Sequence, residues 1–382
     1  LTPEVKGDAR RRPFRFEAAW LQHNEFQDLL TASWDRDIDT REALQRLEVT
    51  LRKWNIEVFG NIQRRKEDLL RQITEIQDKI EQDLSDDILV KEGELLKELE
   101  IVLEQEEMLW LQKSREKWCV HGDRNTKFFH MSTIIRRKRN RVEMLKKDEI
   151  QWVSDAKELE KLAVDYFRKL YSLEDVDTDT QMLMEKRFVG LTRQERMDLD
   201  KTFSAEEVEK AVRAMGSFKA PGPDGFQPVF YQKCWETVGA SVIRFVLLFF
   251  ETGKLPENTN DALVVLIPKV TKPEYITQFR PISLCNVLFK TITKAMVGRL
   301  KSIMPKLIGP AQSSFIPGRL SVDNIVVVQE AVHSMKKKQG RKGWMLLKLD
   351  LEKAYDRLRW DFLEDTLRAA GLSENWVKRI ME

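Results

Sequence analysis

Apolar residues recur at helical spacing through residues 41–118. Leu69, Ile73, Ile76 and Ile80 follow a 4-3-4 spacing that lines up one stripe, with Glu and Lys filling the other faces. Ser85-Asp86-Asp87 supplies a break with helix-starting residues, and Ile88, Leu95, Leu96, Leu99 and Leu103 form a second stripe. The pattern predicts an antiparallel helical hairpin in which each stripe buries the other. Left open, the same stripes would support self-association through residues 41–118. Upstream, Phe14 and Phe16 alternate with Arg15 as in an edge strand.

Downstream, Trp152, Leu159, Leu162, Phe167 and Leu170 suit an amphipathic helix, and Glu174 to Thr180 reads as an acidic loop. Ser204 to Glu207 is a capping box opening a helix that Gly216 ends, and Phe230 to Phe250 carries the apolar load of a buried helix. Ala262 to Lys269 is a β-branched run expected as a strand, continued by Tyr275 to Cys285. In Leu346 to Asp350 the leucines alternate with Lys348 and Asp350, which predicts a strand presenting Asp350 in a cleft with Tyr355 close by. From the residues alone, Asp350 and Glu352 could equally be solvated, with Tyr355 in the core. Trp360, Phe362, Leu363 and Leu367 begin a last helix, closed by Gly371.

Composition narrows the picture. A chain of 382 residues has room for two or three domains. Its 65 Lys and Arg nearly balance 62 Asp and Glu, so local clusters and not the net charge of +3 must argue for partners. Cys119, Cys234 and Cys285 are odd in number and widely separated, which fits a reducing compartment rather than a disulfide framework. No apolar run is long enough to span a membrane, and no signal peptide is visible. The sequence starts at Leu1, which reads as a piece of something longer.

Three stretches carry chemistry. Gly122 to His130 makes a turn and caps a helix bearing Phe128 and Phe129; Cys119, His121 and His130 match no zinc-finger spacing, so no zinc is expected. From Arg136 to Lys147, seven basic residues face one acid, Glu143, and Arg136, Arg137, Lys138 and Arg139 are candidates for RNA phosphate contact, although such clusters are often only a solvated helix face. Lys219-Ala220-Pro221-Gly222-Pro223-Asp224-Gly225 is an irregular connector that no helix or strand could continue.

Taken together, these stretches resemble the reverse transcriptases of plant LINE-type non-LTR retrotransposons. The resemblance rests on W-x-x-x-G-D-x-N-T-x-F-F-H from Trp118 to His130, A-P-G-P-D-G from Ala220, I-P-K ending at Lys269, and F-R-P-I-S-L from Phe279. It continues with Q-x-x-F-x-x-G-R from Gln312, Asp323-Asn324, and D-x-E-K-A-[FY]-D-x-x-x-W from Asp350 to Trp360. It implies an α+β chain, mainly helical in its N-terminal half with a long helical hairpin, followed by a truncated right-hand polymerase of fingers and partial palm. The implied divisions are residues 1–40, the end of an endonuclease domain; 41–118, the hairpin; 119–200, a basic connector; 201–345, fingers; and 346–382, the start of the palm. The family's roles fall on Asp350 as a magnesium ligand, Tyr355 under the nucleotide sugar, Lys269 and Arg280 on the dNTP triphosphate, and Arg319 along the template path.

Two magnesium ions, an RNA template, a DNA primer and a ribonucleoprotein setting, nuclear or cytoplasmic, are likewise what the resemblance implies. Two-metal transfer needs several carboxylates, and the family's [FY]-A-D-D hairpin is not found in these residues. The expectation is therefore a fragment inactive on its own. The competing readings are a nucleic-acid-binding remnant without chemistry and a helical dimerisation protein.

Overall fold

The structure, a computed structural model, describes residues 13–81, 85–114, 126–172, 188–351 and 353–382. Helices α1 (Phe26–Ser33), α2 (Thr40–Trp54), α3 (Ile62–Ile80), α4 (Asp86–Ser114) and α5 (Thr126–Asn140) precede a small antiparallel pair, β1 (Leu145–Lys146) and β2 (Trp152–Val153). Next come α6 (Ala156–Tyr171), α7 (Arg193–Asp200), α8 (Ala205–Arg213), α9 (Pro228–Lys233), α10 (Trp235–Thr252) and the antiparallel strands β3 (Ala262–Pro268) and β4 (Phe279–Cys285). The order closes with α11 (Val287–Leu300), α12 (Met304–Leu307), α13 (Ser321–Lys337), α14 (Trp360–Ala369) and α15 (Glu374–Met381). No helix among the described residues is long and apolar enough to cross a membrane.

The chain divides into two compact units that interleave in sequence. One comprises Leu1–Glu160, Val208–Val246 and Pro256–Thr291; the other comprises Lys161–Glu207, Leu247–Leu255 and Ile292–Glu382. The expected divisions at 41, 119 and 201 do not coincide with these borders. Phe14, Phe16 and Trp34, from the 1–40 stretch, pack their rings against Phe226 and Phe230.

In the first unit α3 and α4 run antiparallel, as their stripes predict. Leu69, Ile73 and Ile76 are buried on α3, and Leu95 and Val102 on α4, whereas Leu96 stays exposed. Polar groups flank the seam: Lys66 Nζ lies 2.7 Å from Glu106 Oε2, Arg65 donates to Gln105 Oε1 at 3.1 Å, and Gln77 to Glu92 Oε1 at 2.9 Å. The last turn of α4 carries Gln112, whose buried amide accepts from Ala18 N at 2.9 Å and donates to Phe16 O at 2.7 Å and to Gln227 Oε1.

The predicted edge strand at Phe14–Phe16 is extended but unpaired. Its side chains alternate as expected, Phe14 and Phe16 buried with Arg15 half-buried between them, but no strand ladder among the described residues pairs the segment. Phe16 N donates to Gly225 O at 3.1 Å, and the Phe14 and Phe16 rings lie 5.1 Å from Phe226 and Phe230 respectively. An aromatic cluster, rather than a strand ladder, binds this arm.

The second unit is built around stacked aromatic rings. Phe203 lies flat on Phe250 at 3.6 Å with the Arg299 guanidinium over its other face at 3.6 Å. Arg299 also holds both oxygens of Glu207 and donates to the carbonyls of Leu199, Lys201 and Thr202, ending α7. Trp376 of α15 is fully buried and donates Nε1 to Leu199 O at 3.1 Å. The expected capping box is present, with Ser204 N donating to Glu207 Oε2 and Glu207 N to Ser204 Oγ.

The predicted strand Leu346–Asp350 is not one. These residues are exposed and unpaired, and no strand among the described residues lies alongside to satisfy their backbone groups.

Gly225 sits at φ +78°, and a Cβ there would meet Phe14 O at 2.3 Å. Gly225→Ala is expected to cost on the order of 3 kcal/mol by forcing the arm off residues 226–230. Gly298→Ala, in α11 with open space around it, is expected to be neutral or stabilising by less than about 1 kcal/mol. Urea unfolding of both variants checks this; an unchanged midpoint for Gly225→Ala would show that the arm does not depend on that contact.

Candidate functional site

The strand pair β3–β4 arises from two β-branched, aromatic and leucine-rich runs joined by a loop too irregular to extend either. Its register pairs Ile267 with Arg280 and Pro268 with Phe279, and Lys269 N continues the ladder by donating to Gln278 O at 2.8 Å. Directly opposed residues share a face, so Lys269 and Arg280 are diagonal neighbours on one face at one end of the hairpin. Both are exposed. Lys269 Nζ donates to Thr277 O at 3.2 Å, and Arg280 makes no ion pair among the described residues, leaving its fork of donors to solvent.

The connector before α9 is held from several sides. Gly222 packs so tightly under Asn286 that a Cβ would meet Asn286 Oδ1 at 2.2 Å. Asp224 N donates to Asn286 Oδ1 at 3.1 Å, Lys290 Nζ reaches Ala220 O at 3.3 Å, and Arg15 reaches Gly222 O at 3.5 Å. Asp224 itself is enclosed: one oxygen accepts from Phe226 N at 3.0 Å, while Oδ2, like the nearby Tyr231 hydroxyl, has no partner among the described residues. Burial pushes the Asp224 carboxyl up to about 7, against the lowering influence of the Phe226 N–H, Lys290 and Arg15.

The basic helix α5 divides its cations. Arg136 donates to Ser114 O at 2.6 Å and to Lys113 O, closing the C-terminus of α4. Arg137, Lys138 and Arg139 are exposed and make no hydrogen bond or ion pair among the described residues. Arg319 is also structural: it donates to the carbonyls of Pro305, Ile308, Gly309 and Gln312 at 2.5–3.0 Å and so shapes the loop between α12 and α13. Arg136 and Arg319, expected to meet nucleic acid, have guanidinium groups that already serve main-chain oxygens.

Asp350 is exposed at the end of the unpaired segment. Tyr355 is 79% exposed, its ring 6.3 Å from that of Phe315. The turn after Asp350 is held by α6, where Tyr171 Oη donates to Asp356 Oδ1 at 3.2 Å and Lys353 Nζ lies 4.3 Å from the Tyr166 ring centre. Nothing in the sequence singles out Tyr166 and Tyr171 beyond their place on an amphipathic helix. No group of three His, Cys, Asp or Glu able to hold a metal ion occurs among the described residues. Asp350 by itself is too few donors for magnesium, which takes octahedral oxygen ligands. Cys119 and His121 lie outside the described residues, and His130 packs on Trp110 at 4.5 Å.

Residues 267–382 match the family model described as reverse transcriptase (RNA-dependent DNA polymerase). The chain is 28% identical over 267 residues to the Transposon TX1 uncharacterized 149 kDa protein of Xenopus laevis, a stretch covering 69% of this chain and 20% of that protein. It is 31% identical over 182 residues to the retrovirus-related Pol polyprotein from type-2 retrotransposable element R2DM of Drosophila melanogaster, covering 47% of this chain and 16% of that one. The corresponding protein from type-1 retrotransposable element R2 of Bradysia coprophila is 25% identical over 176 residues, 45% of this chain and 19% of its own length. Residues 267–382 are thus similar to the reverse transcriptase family, and the chain spans a fifth or less of the length of these relatives.

Two outcomes test the assignments. The folded pKa of Asp224 lies above its ordinary 3.8, so its contribution is full below pH 4 and is lost as pH rises towards 7. Asp224→Asn is therefore expected to gain on the wild type by up to about 4 kcal/mol at pH 8 and by little at pH 4, read from urea midpoints at both. Arg136→Ala is expected to lower stability by about 1–3 kcal/mol, whereas Arg139→Ala leaves it within about 0.5 kcal/mol; thermal melts of the two variants compare them.

Proposed function

We propose that the chain is part of the RNA-directed DNA polymerase region of a LINE-type non-LTR retrotransposon. The observation that carries this is the pair Lys269 and Arg280, placed by register on one face inside the matched segment. Lys269 and Arg280 receive the triphosphate of the incoming dNTP, and Arg280 contributes more because its planar fork suits phosphate oxygens. Tyr355 lies under the nucleotide sugar, and Asp350 is one of the carboxylates that hold catalytic magnesium in a complete site. Arg137, Lys138 and Arg139 take template or primer phosphates. The protein works in a ribonucleoprotein, nuclear or cytoplasmic, and the plant-type reading of the segment ending at His130 belongs to this proposal.

We further infer that these 382 residues do not polymerise alone. They hold Asp350 but no [FY]-A-D-D sequence, and one carboxylate does not position two ions. A second reading, nucleic-acid binding without chemistry, is supported by the exposed α5 cations. Self-association through the hairpin is less favoured, because Leu69, Ile73 and Ile76 of α3 and Leu95 and Val102 of α4 are already buried, although Leu96 stays exposed.

Titration with a fluorescent dNTP in magnesium is expected to show binding that Arg280→Ala weakens about tenfold or more; equal affinity would remove Arg280 from the triphosphate. Primer extension on a homopolymer RNA template is expected to give no product with either the wild type or Asp350→Ala. Product from the wild type that Asp350→Ala abolishes would overturn the inferred inactivity and place Asp350 in the reaction.

A further inference from the structure

The β1–β2 hairpin lies outside the matched family segment and has two unlike faces. Leu145 opposes Val153, and both are buried; Lys146 opposes Trp152 on the outward face, where the indole is 46% exposed. The turn between them is closed by Lys147 N donating to Gln151 O and by Asp148 Oδ1 accepting from Ile150 N and Gln151 N. The hairpin is fixed to the loop joining β3 and β4: Lys146 N donates to Glu274 O at 2.7 Å, and Lys146 Nζ pairs with Glu274 Oε2 at 2.6 Å. The same ammonium lies 4.9 Å from the centre of the Trp152 ring and 5.5 Å from that of Tyr275. A single cation, neutralised by Glu274, thus braces two rings on a rigid two-loop support.

An indole half open to water beside a paired lysine has no core role to fill. The chain leading to it, from Arg137 to Arg141, is basic and exposed at Arg137, Lys138, Arg139 and Arg141, and Lys147 follows on the hairpin. Acidic Asp148 and Glu149 in the turn mark the other edge. Aromatic faces alongside a phosphate-attracting tract are the two elements that bind single strands: rings stack unpaired bases and cations follow the backbone. A duplex, with its bases stacked on one another, offers phosphates to the basic tract but no free base face to Trp152. An acidic peptide would use the cations and leave the indole without a stacking partner.

We propose that Trp152, braced by Lys146 and flanked by Tyr275, is a stacking platform for an unpaired base of single-stranded nucleic acid whose phosphates lie along Arg137–Arg141 and Lys147. This rests on the nucleic-acid reading of the chain and adds to it a place and a preference for unpaired bases. Trp152 acts by direct contact with a base; Lys146 and Glu274 position it. Tyr275, more enclosed than Trp152, borders the platform.

The test is fluorescence anisotropy of the full 382-residue chain at low salt with labelled oligouridine, a duplex of the same length, and polyphosphate as a competitor without bases. Trp152→Ala is expected to weaken oligouridine binding about tenfold while leaving duplex affinity and polyphosphate competition unchanged. Trp152→Phe, which keeps a ring, is expected to restore most of the loss. A triple substitution of Arg137, Lys138 and Arg139 by Ala is expected to weaken both nucleic acids and flatten the salt dependence. Wild-type binding of oligouridine that Trp152→Ala leaves unchanged would overturn the platform and leave the nucleic-acid reading standing. Loss of oligouridine and duplex binding together in Trp152→Ala, without rescue by Phe, would also overturn it. A wild type that binds neither nucleic acid would overturn both.

Discussion

The packing of Phe14 and Phe16 against Phe226 and Phe230, closed by the bond from Phe16 N to Gly225 O, is the constraint on which the first unit depends. It joins residues more than two hundred positions apart and removes large rings from water, each ring contributing far more than the single hydrogen bond. Gly225 permits the approach because any Cβ would occupy the space of Phe14 O. With the connector thus placed, Asn286 and Lys290 grip it from the start of α11. The strand β4 runs directly into that helix, so the same contacts orient the face bearing Arg280 and Lys269.

Arginine serves two purposes in this chain, and the distinction is physical. Arg136, Arg299 and Arg319 each collect main-chain carbonyls that end a helix or shape a loop, groups that would otherwise be left short of donors. Their planar, always-charged forks suit several oxygens at once. Arg280, Arg137 and Arg139 lie exposed with their donors facing water. The near balance of charge in the composition hides this division, because the acids pair mostly with neighbours in sequence or across a seam, as Lys66 and Glu106 do.

How much of this was legible in the sequence differs from one element to another. The hairpin of α3 and α4 was, since its apolar stripes have one period and one break. So were the β3–β4 runs and the capping box at Ser204, whose signals are local. The strand predicted at Leu346–Asp350 was not borne out: alternation states which face a strand would bury, but a strand also requires a partner for its backbone. Phe14 to Phe16 shows the same alternation and keeps it, both rings buried with Arg15 half-buried between them, because an aromatic cluster at Phe226 and Phe230 takes the place of a ladder.

By itself, the sequence determined which residue types stand at which spacing: the order of the family-like stretches, the helical periods, the tight connector with its two glycines, and the presence of Lys269, Arg280, Asp350 and Tyr355. Only the tertiary structure decided what those residues touch. It put Lys269 and Arg280 on one face, assigned Arg136 and Arg319 to carbonyls, enclosed Asp224, and turned Trp152 outward beside Lys146. The reason is that periodicity and capping are fixed within a turn or two of chain, whereas burial, pairing and pKa arise from groups that meet only when distant segments pack.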